Sequence, residues 1–135
     1  MKHDIFLGGP WEQYAPFPYK THIKQAFPNK KCFDPETDSN QGTWFADNYE
    51  GIENSAAMVA LVPSFPFPGV GPEVGHFYRA NCKSDPTKPL ENLVIIWPEA
   101  VKPDFGKEVA TKMGYVVENC EQAIARLRVV LETCK

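Results

Sequence analysis

Two neighbouring stretches, Ala57-Met58-Val59-Ala60-Leu61-Val62 and Pro66-Phe67-Pro68-Gly69-Val70-Gly71-Pro72-Glu73-Val74-Gly75-His76-Phe77-Tyr78, decide how this chain folds. The first is a short, unbroken apolar run and reads as a buried strand. The second carries its glycines and prolines at its start and then runs free of breakers, which predicts a helix over 72–82. A glycine-bearing loop from a strand into a helix is where α/β proteins hold ligands. Gly69 and Gly71 would let a ligand approach the backbone closely, and Pro72 suits a first helical position. Glu73 then falls in the first turn, where the helix dipole favours an ionised carboxylate. Two readings are open for it: an acid that complements the dipole, or an acid that does chemistry.

The same alternation extends outward from this centre. Thr43 can cap a helix running to about Asn54, with Phe45, Tyr49, Ile52 and Ala56 as its buried stripe. Trp44, Asp47, Asn48, Gly51 and Ser55 form a neighbouring stripe. Before it, the polar tract 36–42 reads as loop, 31–34 as a short strand closed by Pro35, and 18–27 as a helix that stops ahead of Pro28. Asp4-Ile5-Phe6-Leu7 is the opening strand, ended by Gly8-Gly9-Pro10, and the proline-rich segment after it delays the first helix. On the C-terminal side, 92–97 reads as a strand, 104–113 as a helix, 115–117 as a strand and 120–133 as an amphipathic helix. Five short strands alternating with helices imply a parallel sheet covered on both faces. The expected architecture is one doubly wound, flavodoxin-like α/β domain with strand order 2-1-3-4-5. Its switch point lies between the first and third strands, so the loops after residues 7 and 62 should converge on one crevice.

Composition excludes several classes of function. The 135 residues are 43% apolar and 23% charged, typical of a single globular domain. A net charge of −3, with no concentration of Lys and Arg, argues against nucleic-acid binding. No apolar run approaches the roughly 20 residues of a membrane helix. A signal peptide is not expected ahead of Lys2-His3-Asp4, and a cytoplasmic location follows as the expectation. Cys32, Cys82, Cys120 and Cys134 form no CxxC pair, so reduced thiols are expected over a zinc site. The thirteen prolines fall where loops are wanted.

Four segments together resemble a known family: Ile5-Phe6-Leu7-Gly8-Gly9-Pro10, Asp47-Asn48-Tyr49-Glu50-Gly51-Ile52, the run 57–62, and Gly69-Val70-Gly71-Pro72-Glu73-Val74-Gly75. They look like the nucleoside 2-deoxyribosyltransferase superfamily, which includes deoxynucleoside 5'-monophosphate N-glycosidases. The similarity spans about residues 4–80, and the Gly-x-Gly-x-Glu-hydrophobic-Gly motif is its specific part. The resemblance implies that Glu73 attacks the anomeric carbon of a 2'-deoxynucleoside, with transfer of the sugar to another free nucleobase or to water. It implies an oligomer, at least a dimer, and a chemistry that requires neither metal nor organic cofactor. A carboxylate that captures an oxocarbenium-like centre is sound chemistry, as in retaining glycosidases. Relatives carry an aspartate three residues ahead of the position of Gly51; here that position is Asn48, with Asp47 beside it. Asp47 is therefore the expected acid/base, against the alternative of a solvated helix acid. Transferases often have an aspartate six residues before the nucleophile, and the monophosphate glycosidases a serine; this chain has Phe67.

Around these two acids, Gly8, Gly9, Trp11, Asn48, Phe67, Gly69 and Gly71 are expected to shape the substrate pocket. Gly8-Gly9-Pro10-Trp11-Glu12 brings no local cation, which favours an uncharged nucleoside over a nucleotide. Trp11, and Phe67 with Phe65, could stack on a nucleobase or pack within their loops. Asp34 ends a strand at the same edge and is a further polar candidate. His76, three residues after Glu73, could orient its carboxylate or sit on the helix surface. Trp44 is assigned to core or interface. A non-catalytic nucleoside-binding module on the same fold is the rival from another class.

Overall fold

The computed structural model describes residues 2–64, 70–82 and 88–133. Five strands, β1 (His3–Gly8), β2 (Cys32–Phe33), β3 (Ser55–Leu61), β4 (Leu93–Ile96) and β5 (Tyr115–Val117), make one sheet in the order β2-β1-β3-β4-β5. All four pairings are parallel, with Ile5 opposite Cys32, Gly8 opposite Ala60, Leu61 opposite Ile96 and Ile96 opposite Val117. Parallel strands need crossovers, and these are supplied by α1 (Tyr19–Ala26), α3 (Trp44–Glu53), α4 (Val70–Asn81) and α5 (Phe105–Met113). A four-residue turn, α2 (Pro35–Asp38), follows β2, and α6 (Cys120–Thr133) closes the described chain.

The strands alternate their side chains between two separate cores. Ile5, Leu7, Ala57, Val59, Leu61, Val94 and Ile96 face α1 and α6, where Tyr19, Ile23, Ala123 and Leu127 are fully buried. Phe6, Met58, Ala60, Leu93 and Ile95 face α3, α4 and α5, where Ile52, Val74, Phe77 and Ala110 cover them. Each fully buried Val, Leu, Ile, Met or Phe side chain among them contributes about 1.5–3 kcal/mol relative to exposure. The doubly wound α/β architecture expected from the sequence is therefore the one observed. Among the described residues, no helix is long and apolar enough to cross a membrane.

Several local expectations need correction. The tract 36–42 is not wholly loop, because Pro35 opens α2 and Asp34 caps it, accepting from the Glu36 N–H at 3.0 Å. The helix expected from 72 begins at Val70, so Pro72 is its third residue. The stripe Phe45-Tyr49-Ile52 is buried only at its end: Ile52 is in the core, while Phe45 is 58% exposed. Ala56 belongs to β3. Gly51 is needed for packing, since a Cβ there would lie 2.8 Å from the Phe33 ring.

Candidate functional site

At the switch point, the chain leaving β1 and the chain leaving β3 touch. Gly9 adopts φ +113°, a left-handed conformation, and a Cβ there would lie 2.9 Å from the Leu61 carbonyl. Only glycine suits that position on both grounds. Its N–H faces the Glu73 carboxylate and favours the ionised form. The glycine loop after β1 and the first turns of α4 thus approach each other at one backbone donor and one acid.

The Tyr19 hydroxyl holds this junction from below. Fully buried at the start of α1, it lies 2.5 Å from the Pro10 carbonyl and 3.3 Å from the Gly8 carbonyl, the two carbonyls that flank Gly9. In a trans peptide the C=O and N–H point in opposite directions. Fixing the Gly8 carbonyl therefore fixes the Gly9 N–H that faces Glu73. Beside Tyr19, Lys20 is 2% exposed and paired at 2.8 Å with Asp34 and 3.2 Å with Glu36. Glu36 also accepts from the Glu12 N–H at 2.6 Å, and Glu12 accepts from the Thr21 N–H and hydroxyl, each at 2.6 Å. This network ties the segment 8–12 to α1 and α2. Burial pushes the Asp34 carboxyl up, but the hydrogen bonds from Lys20 and Lys24 outweigh it and hold the group below its ordinary range. Asp34 is thus an ion-pair partner held under the site.

Glu73 and Gly9 open onto a cavity of about 400 Å³ lined also by Trp11, Pro35, Trp44, Phe45, Asn48, Tyr49, Ile52 and Pro72. Trp11 is 52%, Trp44 57% and Phe45 58% exposed, so large aromatic faces stand open to the cavity and its mouth. Along α3 the rings touch in sequence: Trp44 and Phe45 with centroids 5.7 Å apart, and Phe45 and Tyr49 at 4.5 Å, both edge to face. Ser39 donates to the Asn48 side-chain oxygen and so ties its amide to the α2–α3 connection. Burial raises the Glu73 carboxyl to about 7, opposed by the Gly9 N–H and by the charge of Lys20. The helix dipole acts in the opposite direction, favouring the ionised form. Desolvation by the apolar walls is the larger effect.

The remaining candidates divide clearly. Gly9, Trp11, Asn48 and Glu73 come together at the cavity. Asp47, the expected acid/base, does not line it. Its carboxylate accepts from the Asn40 N–H at 2.8 Å and the Thr43 hydroxyl at 2.9 Å, which hold it below its ordinary range. Fastened across the entry to α3, it is poorly suited to give up a proton. Gly8 is the buried last residue of β1, and a Cβ there would meet Met58 at 2.7 Å, so it serves packing and does not reach the wall. Gly71 lines a different apolar cleft, between α4 and α5, and a Cβ there would meet nothing within 4 Å. Starting α4 at Val70 turns Gly71 away from Glu73, because successive helical residues point in different directions. Phe65, Phe67 and Gly69 lie outside the described residues. His76 pairs with Glu53 at 2.9 Å and stacks edge-on against Tyr49 at 4.4 Å.

No protein-family model matches the chain, and no curated protein matches it. Among solved structures, the chain is similar to the solution structure of BlsM. The match has 14% identity and a TM-score of 0.62, and covers 97% of this chain and 90% of that one. That likeness is one of fold. It extends over nearly the full length of both chains, and at this identity it carries the doubly wound sheet and not a reaction.

Sequence reasoning missed Lys20, Tyr19 and the aromatic wall of α3. Trp44 was assigned to core or interface, yet it lines the cavity. Trp44, Phe45 and Tyr49 at consecutive and four-residue spacing do carry a signal, since three aromatics cannot all face one core from the first turns of a short helix. Lys20 has a weaker one: a lysine among Tyr19 and Ile23 on the apolar side of α1 demands a buried partner.

Proposed function

We propose that this chain is an N-glycosyl transferase that moves 2-deoxyribose between nucleobases through a covalent ester on Glu73. The observation that carries this reading is the Glu73 carboxylate itself. It sits at the start of α4, faces the Gly9 N–H, and opens onto an aromatic cavity large enough for a nucleoside. The local pattern Gly69-Val70-Gly71-Pro72-Glu73-Val74-Gly75, with its resemblance to the nucleoside 2-deoxyribosyltransferase superfamily, supports the same assignment.

In this mechanism the ionised Glu73 attacks the anomeric carbon as the C–N bond breaks. The aromatic walls stack on the base and exclude water. The Gly9 N–H holds the carboxylate in place, and Asn48 offers a polar contact to sugar or base. A second base entering the vacated space attacks the ester, restores the carboxylate and leaves as a new nucleoside. Without such a base, water attacks and free deoxyribose results. With no cationic side chain among its described lining residues to pair with a phosphate, the cavity supports a nucleoside over a nucleotide.

Incubation of deoxyadenosine or thymidine, with and without a second free base, followed by chromatography, tests the proposal. A new nucleoside that forms only with the acceptor base supports transfer; deoxyribose alone makes the chain a hydrolase. One observation favours a non-catalytic nucleoside-binding module, namely that Asp47 is fastened away from the cavity and leaves Glu73 as its only carboxylate among the described residues. Ligand binding without any Glu73-dependent reaction would decide for that module.

A further inference from the structure

An N-glycoside with a neutral base loses that base as an anion unless an acid protonates it. The described wall of the cavity contains one carboxylate, Glu73, which the proposed mechanism uses as the nucleophile. The same wall is rich in another kind of group. Trp11, Trp44, Phe45 and Tyr49 present aromatic surface around one acid, with no cationic side chain among the described lining residues. Aromatic faces attract cations through their quadrupole, tryptophan most strongly, and the attraction grows as water is excluded. An aromatic enclosure closed at one end by a carboxylate is suited to a positively charged, flat ligand.

We propose that the cavity takes N-glycosides whose leaving base is a positively charged heteroaromatic, such as an N-alkylated purine or a pyridinium. This rests on the reading of Glu73 as a glycosyl-accepting nucleophile and names the substrate class of that site. The step balances without a second acid. A Glu73 carboxylate oxygen forms a bond to the anomeric carbon, and the C–N bond breaks. Its electron pair passes to the ring nitrogen, cancels the positive charge, and the base departs neutral. Water then attacks the anomeric carbon, the glycosyl–Glu73 ester bond breaks, the carboxylate is restored and one proton goes to solvent. The negative charge of Glu73 also faces the positive charge that develops on the sugar.

Two measurements on the full chain test this. In the first, quenching of tryptophan fluorescence gives the affinities of two uncleavable pairs, 7,9-dimethyladeninium against 9-methyladenine and 1-methylnicotinamide against nicotinamide. At least one cation is expected to bind roughly tenfold or more tightly than its neutral partner. Glu73→Gln and Trp44→Ala, the latter at an exposed position, are each expected to shrink that preference. In the second, release of base is followed from the 2'-deoxy forms of nicotinamide riboside and 7-methylguanosine and from neutral deoxynucleosides, by the native chain and by Glu73→Gln. Preferential cation binding together with Glu73-dependent cleavage of a cationic glycoside supports the proposal. Equal affinity within both pairs overturns it, as does cation binding with no cleavage of either cationic glycoside. Glu73-dependent cleavage confined to neutral nucleosides also overturns it, while leaving glycosyl transfer standing. No Glu73-dependent cleavage of any substrate overturns the glycosyl reading itself.

Discussion

Replacing Glu73 by glutamine should make the protein more stable at neutral and alkaline pH. Burial raises the carboxyl from its ordinary 4.5 to about 7, so the folded state holds its proton more tightly than the unfolded chain does. Between those two values the folded state binds more protons, and stability must fall as pH rises through that window. Above about 7 the full penalty of a desolvated carboxylate is present, and the shift corresponds to an upper bound of about 3 kcal/mol. Glutamine keeps an oxygen facing the Gly9 N–H and removes the charge. The Glu73→Gln variant should therefore unfold roughly 5–10 °C above the native chain at about pH 8. The difference should shrink towards zero as the pH falls below about 4.5, where the native chain's carboxyl becomes protonated in both states. Thermal unfolding followed by circular dichroism at a series of pH values measures this directly. A variant no more stable than the native chain at about pH 8, or a difference that does not change with pH, would refute a desolvated Glu73. A gain in stability that accompanies loss of activity is the usual mark of a strained functional group.

Other expectations follow from neighbouring contacts. Glycosyl-transfer rate should rise with pH through about 7, because only ionised Glu73 is a nucleophile; a profile flat across that region would contradict the role. Tyr19→Phe deprives the Gly8 and Pro10 carbonyls of a buried donor and should cost about 1–3 kcal/mol in urea unfolding. By loosening the Gly9 N–H it should also move the midpoint of the pH–rate profile upward, which a purely structural loss would not do. Lys20→Met leaves Lys24 as the one cation paired with Asp34 among the described residues and should destabilise by about 3 kcal/mol, again read by urea unfolding. Gly51→Ala should destabilise by roughly 1–3 kcal/mol despite alanine's helix propensity, because Phe33 is held between Phe6 and His3 and cannot yield.

The sheet order and the meeting of the β1 and β3 loops were legible because short apolar runs alternating with helical periods admit few topologies. Glu73 was legible for a similar reason, since a glycine-rich strand-to-helix loop has one place in such a fold. Its protonation was not, because a dipole argument sees only the helix and the apolar walls come from elsewhere in the chain. Asp47 and Asn48 show the limit of spacing on a helix. Neighbours differ by about a quarter turn or more, and that turn decides which faces the cavity and which caps the turn at Asn40–Thr43. Gly71 was misplaced by a two-residue shift in where α4 begins. Lys20 and Tyr19 escaped notice because their roles depend on partners far along the chain or on backbone carbonyls, which residue patterns do not reveal.

Covalent capture is the most direct test of Glu73 as nucleophile. The protein is mixed with a 2'-deoxynucleoside in the absence of any acceptor base, quenched in acid, and the intact mass and peptide map are read. A mass increase of one deoxyribosyl group, localised to the peptide containing Glu73 and missing in Glu73→Gln, is the expected result. Turnover of substrate with the adduct on another residue, or undiminished turnover by Glu73→Gln, would contradict it.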